Sequence, residues 1–235
     1  MGLEQFVLLG HSMGGFLASS YALQYPDRVA HVVLADPWGF PEKPADPSSG
    51  RRLPLWVKGI AYLLQPFNPL WIVRASGPLG KELRAHRLLL IIIIIDLTGP
   101  RLVQRARPDI VRKFSGFIDE AESIIPHYIY HCNAQNPSGE GAFHAMMESF
   151  GWAKFPMINR ISALKEDVPL TFIYGARSWV DQKTGHQLKD MRKDVSVFVI
   201  EGAGHHVYAD NYHEFNRMVL QECENAESFR LNSAS

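Results

Sequence analysis

Short apolar runs open and close this chain, and the stretches between them mix polar and apolar residues. Phe6-Val7-Leu8-Leu9 is followed by a helix-like stretch from Met13 to Tyr25 that stops before Pro26. A second run, His31 to Ala35, comes next. From Val168 the same alternation returns. Leu170 to Tyr174 predicts a strand, Thr184 to Met191 a helix, Val195 to Ile200 a strand, and Tyr212 to Cys223 a helix. Four to six apolar residues bounded by turn residues suit a buried strand, and the longer periodic stretches suit helices. Strands alternating with helices predict a parallel sheet covered on both faces.

Between Pro37 and Asp167 strand alternation is lost. The text is rich in Pro, Trp and Arg and predicts helices at 54–64, 69–75, 107–117, 120–131 and 141–150. The expected organisation is therefore a core at 1–36, an inserted helical lid at 37–167 and a second core segment at 168–222. A polar tail at 223–235 is expected to be frayed.

One motif attaches chemistry to this pattern. Ser12 stands in Gly10-His11-Ser12-Met13-Gly14, a G-x-S-x-G sequence directly after the first apolar run and before the first helix. A sharp strand-to-helix turn lifts a serine oxygen clear of the sheet and aims the next amide, that of Met13, at a substrate oxyanion. Glycines beside the serine leave room for that turn. The reaction class implied is acyl transfer or ester hydrolysis through serine.

Such a serine needs a base and an acid to orient the base. On this scaffold they follow in the order Ser, Asp or Glu, His. His205 comes after the last strand behind Gly202-Ala203-Gly204, with His206 as its neighbouring rival. Asp181, in the loop after Leu170 to Tyr174, is the expected acid, and Asp36, at the end of the run after the elbow helix, is the competitor. His205 and Asp210 also share an H-x4-D spacing. The expected reading of that pair is His205 as base and Asp210 as a cap at the start of the final helix.

Five longer strings resemble the α/β-hydrolase-domain 4 and 5 subfamily. They are Gly10 to Phe16, Tyr25 to Val29, Asp36 to Pro41, Tyr130 to Glu140 and Gly202 to Asp210. The resemblance implies the α/β-hydrolase fold: a mostly parallel sheet, helices on both faces and a helical lid. It also implies one of two branches. One is a lipase acting on N-acylated phosphatidylethanolamine and its lyso form. The other is a lipid-droplet co-activator of triglyceride lipase, in which Asn replaces the nucleophile. Ser12 points to the lipase branch, while Phe67-Asn68-Pro69-Leu70 and Tyr174-Gly175-Ala176-Arg177-Ser178 look more like the co-activator. Acyltransferase activity, associated with this subfamily and with the H-x4-D spacing of His205 and Asp210, would pass the acyl group to lysophosphatidic acid.

Two features depart from that pattern. Only eleven residues precede Ser12, whereas the fold sets several strands before its nucleophile. The chain is thus expected to begin inside the fold, without the loop that supplies the second oxyanion amide. Lys81 to Thr98 has no counterpart in the family, and its centre, Leu88 to Ile95, is an uncharged β-branched run with an aggregation signature. It reads as an addition and not as a working part of the lid.

Composition narrows the partners. Lys plus Arg and Asp plus Glu balance at 24 each, so no basic nucleic-acid surface is expected. Two cysteines, Cys132 and Cys223, make no disulfide framework and fit a reducing, cytoplasmic setting. No basic leader precedes Phe6, and Leu88 to Ile95 falls far short of the ~20 residues a membrane span needs. Phospholipid or lysophospholipid is the expected substrate, with peripheral contact to a lipid droplet or membrane. His127 and His131 sit four apart but lack the Glu of H-E-x-x-H, so no metal is expected. No G-x-G-x-x-G or Walker motif calls for a nucleotide cofactor.

Overall fold

A computed structural model describes residues 4–44, 99–134, 138–148 and 151–233. The predicted helices at 54–64 and 69–75, and the apolar run at 88–95, lie outside the described residues.

Two compact units emerge. The first joins residues up to Lys43 with those from Phe143 onward, and the second comprises Pro44–Ala142. Within the second unit, three helices are described: α2 (Pro100–Ala106), α3 (Pro108–Phe114) and α4 (Ala121–Ala134). They close around Val111, Ala121 and Ile125, with Ile110, Phe114, Ile118 and Ile129 packed against them.

The first unit is built on a four-stranded parallel sheet: β1 (Phe6–His11), β2 (Val29–Ala35), β5 (Leu170–Gly175) and β6 (Val195–Ile200), side by side in that order. Helix α1 (Met13–Gln24) carries the chain from β1 to β2, and α6 (Lys183–Met191) carries it from β5 to β6. β5 is buried at every position and β2 at all but Ala30, so both are largely apolar without alternation, His31 and Thr171 being the buried polar exceptions. β1 pairs only with β2, and no strand lies along its other edge among the described residues. Leu9, in that strand, is 42% exposed.

Two apolar clusters cover the sheet. One gathers Phe16, Leu34, Trp38, Phe40, Phe172 and Leu188, and the other Val33, Ile173, Ile200, Phe215 and Met218. Part of the segment expected as lid packs here. α5 (Ser138–Met146) leads into a small antiparallel pair, β3 (Met147–Glu148) with β4 (Trp152–Ala153). Ala153, Met157, Ile161 and Leu164 then enter the first cluster. A short helix, α7 (Val207–Asp210), precedes α8 (Tyr212–Ser233). The tail from 223, expected to be frayed, continues α8 to Ser233. Its Glu, Ala, Arg and Leu residues are strong helix formers, and polarity alone does not end a helix.

His31 shows what polar groups buried under this sheet require. Its Nε2 is 2.8 Å from Thr171 Oγ1 and 3.7 Å from Glu222 on α8. Burial pushes its pKa below the ordinary 6.5, while Glu222 and Asp194 pull the other way. A folded pKa below the unfolded one means that the unfolded chain takes up the proton first as pH falls. The stability His31 contributes is therefore complete above 6.5 and is lost as pH drops through the folded value. Melting temperature should fall between about pH 7.5 and 5.5, and His31→Gln should flatten that slope. An unchanged slope would assign the pH dependence to other groups.

Candidate active site

The C-terminal ends of parallel strands all open on one edge of a sheet, where this class of fold assembles its sites. Ser12 follows β1, Asp36 follows β2, Ser178 lies in the loop after β5, and His205 follows β6.

Ser12 occupies a backbone conformation that few residues with a side chain adopt, φ 54° and ψ −120°. Neighbouring backbone holds it there. Its amide donates to Ala35 O at 3.0 Å, and its carbonyl accepts from Gly15 N and Trp38 N, each at 3.0 Å. The glycines have unequal duties. A Cβ on Gly10 would stand 2.3 Å from Gly14 O, and one on Gly15 would stand 2.8 Å from Pro37 Cβ. A Cβ on Gly14 would meet nothing within 4 Å, so the tight contact at the elbow falls on Gly10 and Gly15.

His205 Nε2 lies 3.0 Å from Ser12 Oγ. The ring of His206 sits 5.5 Å from that of His205, outside this pair. On the other side, His205 Nδ1 is 2.6 Å from Asp36 Oδ2. Nδ1 is thus the donor, which leaves the Nε2 lone pair facing the serine hydroxyl.

The carboxylate on His205 is therefore Asp36 and not the expected Asp181. The cause is a competing hydrogen bond. Asp181 Oδ1 accepts the Lys183 amide at 2.9 Å, its other oxygen lies 3.8 Å from Lys183 Nζ, and its side chain is half-exposed at the start of α6. From the loop after β5 it is Ser178 that reaches inward, donating its hydroxyl to Asp36 Oδ2. Gly175 N donates to Oδ1 at 3.3 Å. Asp36 is 0% exposed, so these three donors replace the water that a buried carboxylate has lost. Ser178 was missed because a lone loop serine carries no sequence signal. The signal for Asp36 was a charged residue ending an otherwise apolar buried strand.

At the start of the final helix Asn211 Oδ1 accepts the Glu214 amide at 3.3 Å, and Asp210 serves the preceding loop. Asp210 Oδ2 accepts the Gly204 amide at 2.8 Å and so pins the loop that carries His205. Met13 opens α1 immediately after Ser12, the place from which an oxyanion amide acts.

A pocket of about 560 Å³ opens on Ser12. Trp38, Phe143, Met147, Trp152 and Trp179 dominate its wall, and Asp181 is the one ionisable side chain among the described lining residues. Trp38 is braced by donating its Nε1–H to Gly151 O at 2.6 Å. Trp179, 68% exposed, packs its ring 4.9 Å from that of His205. Among the described residues, no group of three His, Cys, Asp or Glu side chains could hold a metal ion. His127 and His131 lie on α4 with ring centroids 6.0 Å apart. No helix among the described residues is long and apolar enough to cross a membrane.

Residues 1–212 match the α/β-hydrolase fold family. The (lyso)-N-acylphosphatidylethanolamine lipase of Bos taurus is 52% identical over 229 residues, 97% of this chain and 61% of the relative. The Homo sapiens protein of that name is 50% identical over the same shares. A 1-acylglycerol-3-phosphate O-acyltransferase of Homo sapiens is 42% identical over 97% of this chain and 60% of its own. The chain spans about three fifths of the length of these relatives. Among solved structures, a bacterial membrane phospholipase A superposes with a TM-score of 0.51 at 19% identity, covering 96% of this chain and 59% of that one. A deformylase from Pseudomonas putida gives 0.51 at 17%, over 92% and 66%. At such identities the likeness is one of fold.

The two acidic residues can be separated by experiment. Asp36→Asn should lower the rate of Ser12 acylation by about 10³- to 10⁴-fold, since the amide favours the wrong histidine tautomer. Asp181→Asn should change it less than about threefold, because an exposed loop carboxylate contributes little. Single-turnover acylation by an activated ester reads both, and the reverse order would return the acid's role to Asp181.

Proposed function

The chain belongs to the α/β-hydrolase fold family, and from that premise we propose that it is a serine hydrolase of lipid esters. The observation that carries the reading is the 3.0 Å approach of His205 Nε2 to Ser12 Oγ, with the Asp36 carboxylate 2.6 Å behind the same ring. Ser12 Oγ attacks the ester carbonyl while His205 Nε2 takes its proton. The negative charge that develops on the carbonyl oxygen is met by the Met13 amide. The imidazolium so formed is steadied by Asp36 and returns its proton to the departing alcohol. Water, activated by the same nitrogen, then releases the fatty acid from Ser12.

The substrate class follows from the pocket and the relatives together. Indole, phenyl and thioether surfaces suit an acyl chain, and the pocket volume lies in the range of sites that bury a small organic ligand. A lysophospholipid of the N-acylphosphatidylethanolamine type is the reading supported by relatives at 50–52% identity that carry that name. Trp179, exposed at the mouth, suits peripheral contact with a droplet or bilayer surface, where an indole rests at the headgroup level.

Resolving the acyl-enzyme with a lipid alcohol in place of water would make the same site an acyltransferase, as the name of the 42% identical relatives suggests. A purely regulatory role on lipid droplets makes no use of the Ser12–His205 pair.

Fluorophosphonate labelling of the chain, with Ser12→Ala as control, should give a label that the variant abolishes. Fatty acid should then be released from N-acyl-lysophosphatidylethanolamine and not from its analogue in which an alkyl ether replaces the glycerol ester. Product appearing only with acyl-CoA and lysophosphatidic acid would favour the transferase. No label at all would refute hydrolysis by this chain.

A further inference from the structure

His11 ends β1 and is the covalent neighbour of Ser12, yet the chemistry above makes no use of its side chain. Its Nε2 lies 2.8 Å from the backbone oxygen of His205. A carbonyl only accepts, so Nε2 carries the proton and donates. The half-buried ring is enclosed by three other rings. His205 lies 4.7 Å away, Tyr208 5.0 Å away and edge-on, and His206 5.6 Å away.

The loop that carries His205 is also held at Ala203 O, which accepts the Arg177 amide at 2.9 Å, but that bond comes from the loop after β5 and not from the nucleophile strand. Gly202, at φ 76°, gives the histidine loop a turn that residues with side chains rarely adopt, and Gly204 adds further freedom. Asp210 holds the Gly204 amide from α7, the element directly after the loop, so that bond is local. The His11 bond spans 194 positions and begins on the nucleophile's own strand.

We propose that His11 is a positioning residue: a strut between the nucleophile strand and the histidine loop that fixes the reach of His205 Nε2 to Ser12 Oγ. The proposal rests on the serine-hydrolase reading. Burial holds the His11 pKa below the ordinary 6.5, and the charge of a protonated His205 acts the same way. The His205 carbonyl and Asp36 oppose them. His206 and Tyr208 are the other titratable groups facing the ring. At neutral pH the strut is thus an uncharged Nε2–H donor, and it leaves the imidazolium that forms on His205 free of a neighbouring positive charge.

The test is steady-state hydrolysis of p-nitrophenyl butyrate by the chain and its variants. His11→Leu should lower kcat about 10- to 100-fold, the scale of an ångström-sized misplacement, and leave KM within about twofold. His11→Gln keeps a donor at similar reach and should restore kcat to within about fivefold of the parent. Should the Leu variant not fold, His11→Asn takes its place, since its donor stops short of the carbonyl. An intact kcat in His11→Leu, or equal losses in the Leu and Gln variants, overturns the strut. A second readout needs no activity. Imidazole ¹⁵N–¹H correlation spectra of the folded chain should show His11 as the Nε2–H tautomer, and an Nδ1–H tautomer would overturn the proposal. An inactive parent chain with the Nε2–H tautomer counts against the hydrolase reading, and with it against a catalytic purpose for the strut.

Discussion

A carboxylate with no access to water must be given hydrogen bonds by the protein, and most of this site is arranged around that demand at Asp36. The Gly175 amide, the Ser178 hydroxyl and the His205 ring converge on it from the end of β5, the following loop and the loop after β6. Removing any one donor leaves a buried charge less compensated, an expensive change in a low-dielectric interior. Satisfying Asp36 is therefore the same act as drawing two loops together over the sheet. The orientation of His205 toward Ser12 is the useful by-product.

The route by which strained residues reach this edge is visible in the backbone. Ser12 and Asp36 both have positive φ, 54° and 46°. Each lies one residue beyond the end of its strand, and each still donates its amide to the neighbouring strand: Ser12 N to Ala35 O, Asp36 N to Ile173 O. Ala176 N continues the series to Ile200 O. The parallel ladder thus runs one step past regular pairing on three strands. Those bonds offset the 1–3 kcal/mol that each unfavourable conformation typically costs.

Much of this was legible in the residues. Strand runs such as Leu170 to Tyr174 announce themselves because a parallel strand buried on both faces is largely apolar. Ser12 and His205 stand in small-residue strings that only a tight turn uses. The acid was not legible, because both candidates end or follow a strand that opens on the same edge. What separates them is a local contest. Asp181 lies two residues before Lys183 and satisfies the exposed amide at the start of α6, whereas Asp36 is sealed under the sheet edge with no helix start to serve. Spacing does not encode that contest, because it turns on which way two side chains rotate. The end of α8 escaped for a different reason. A polar stretch predicts fraying, yet a helix can continue through helix-forming residues once its first turns are packed, as Phe215 and Met218 are.

The pocket wall links the two levels of organisation. Asp36 begins the string Asp36-Pro37-Trp38-Gly39-Phe40, which is buried throughout. Trp38 turns toward Phe143 and the β3–β4 pair, with ring centroids 4.8 Å apart from Phe143, while Phe40 packs edge-on against Phe172 of β5 at 5.3 Å. Gly39, at φ 82°, allows those two side chains to face opposite ways. A Cβ there would meet Phe16 of the elbow helix at 2.7 Å. One five-residue string therefore carries the buried Asp36 carboxylate, an apolar wall beside Ser12 and an anchor in the sheet core. The apolar wall beside Ser12 and the carboxylate on His205 therefore belong to one continuous buried stretch of backbone, residues 36–40.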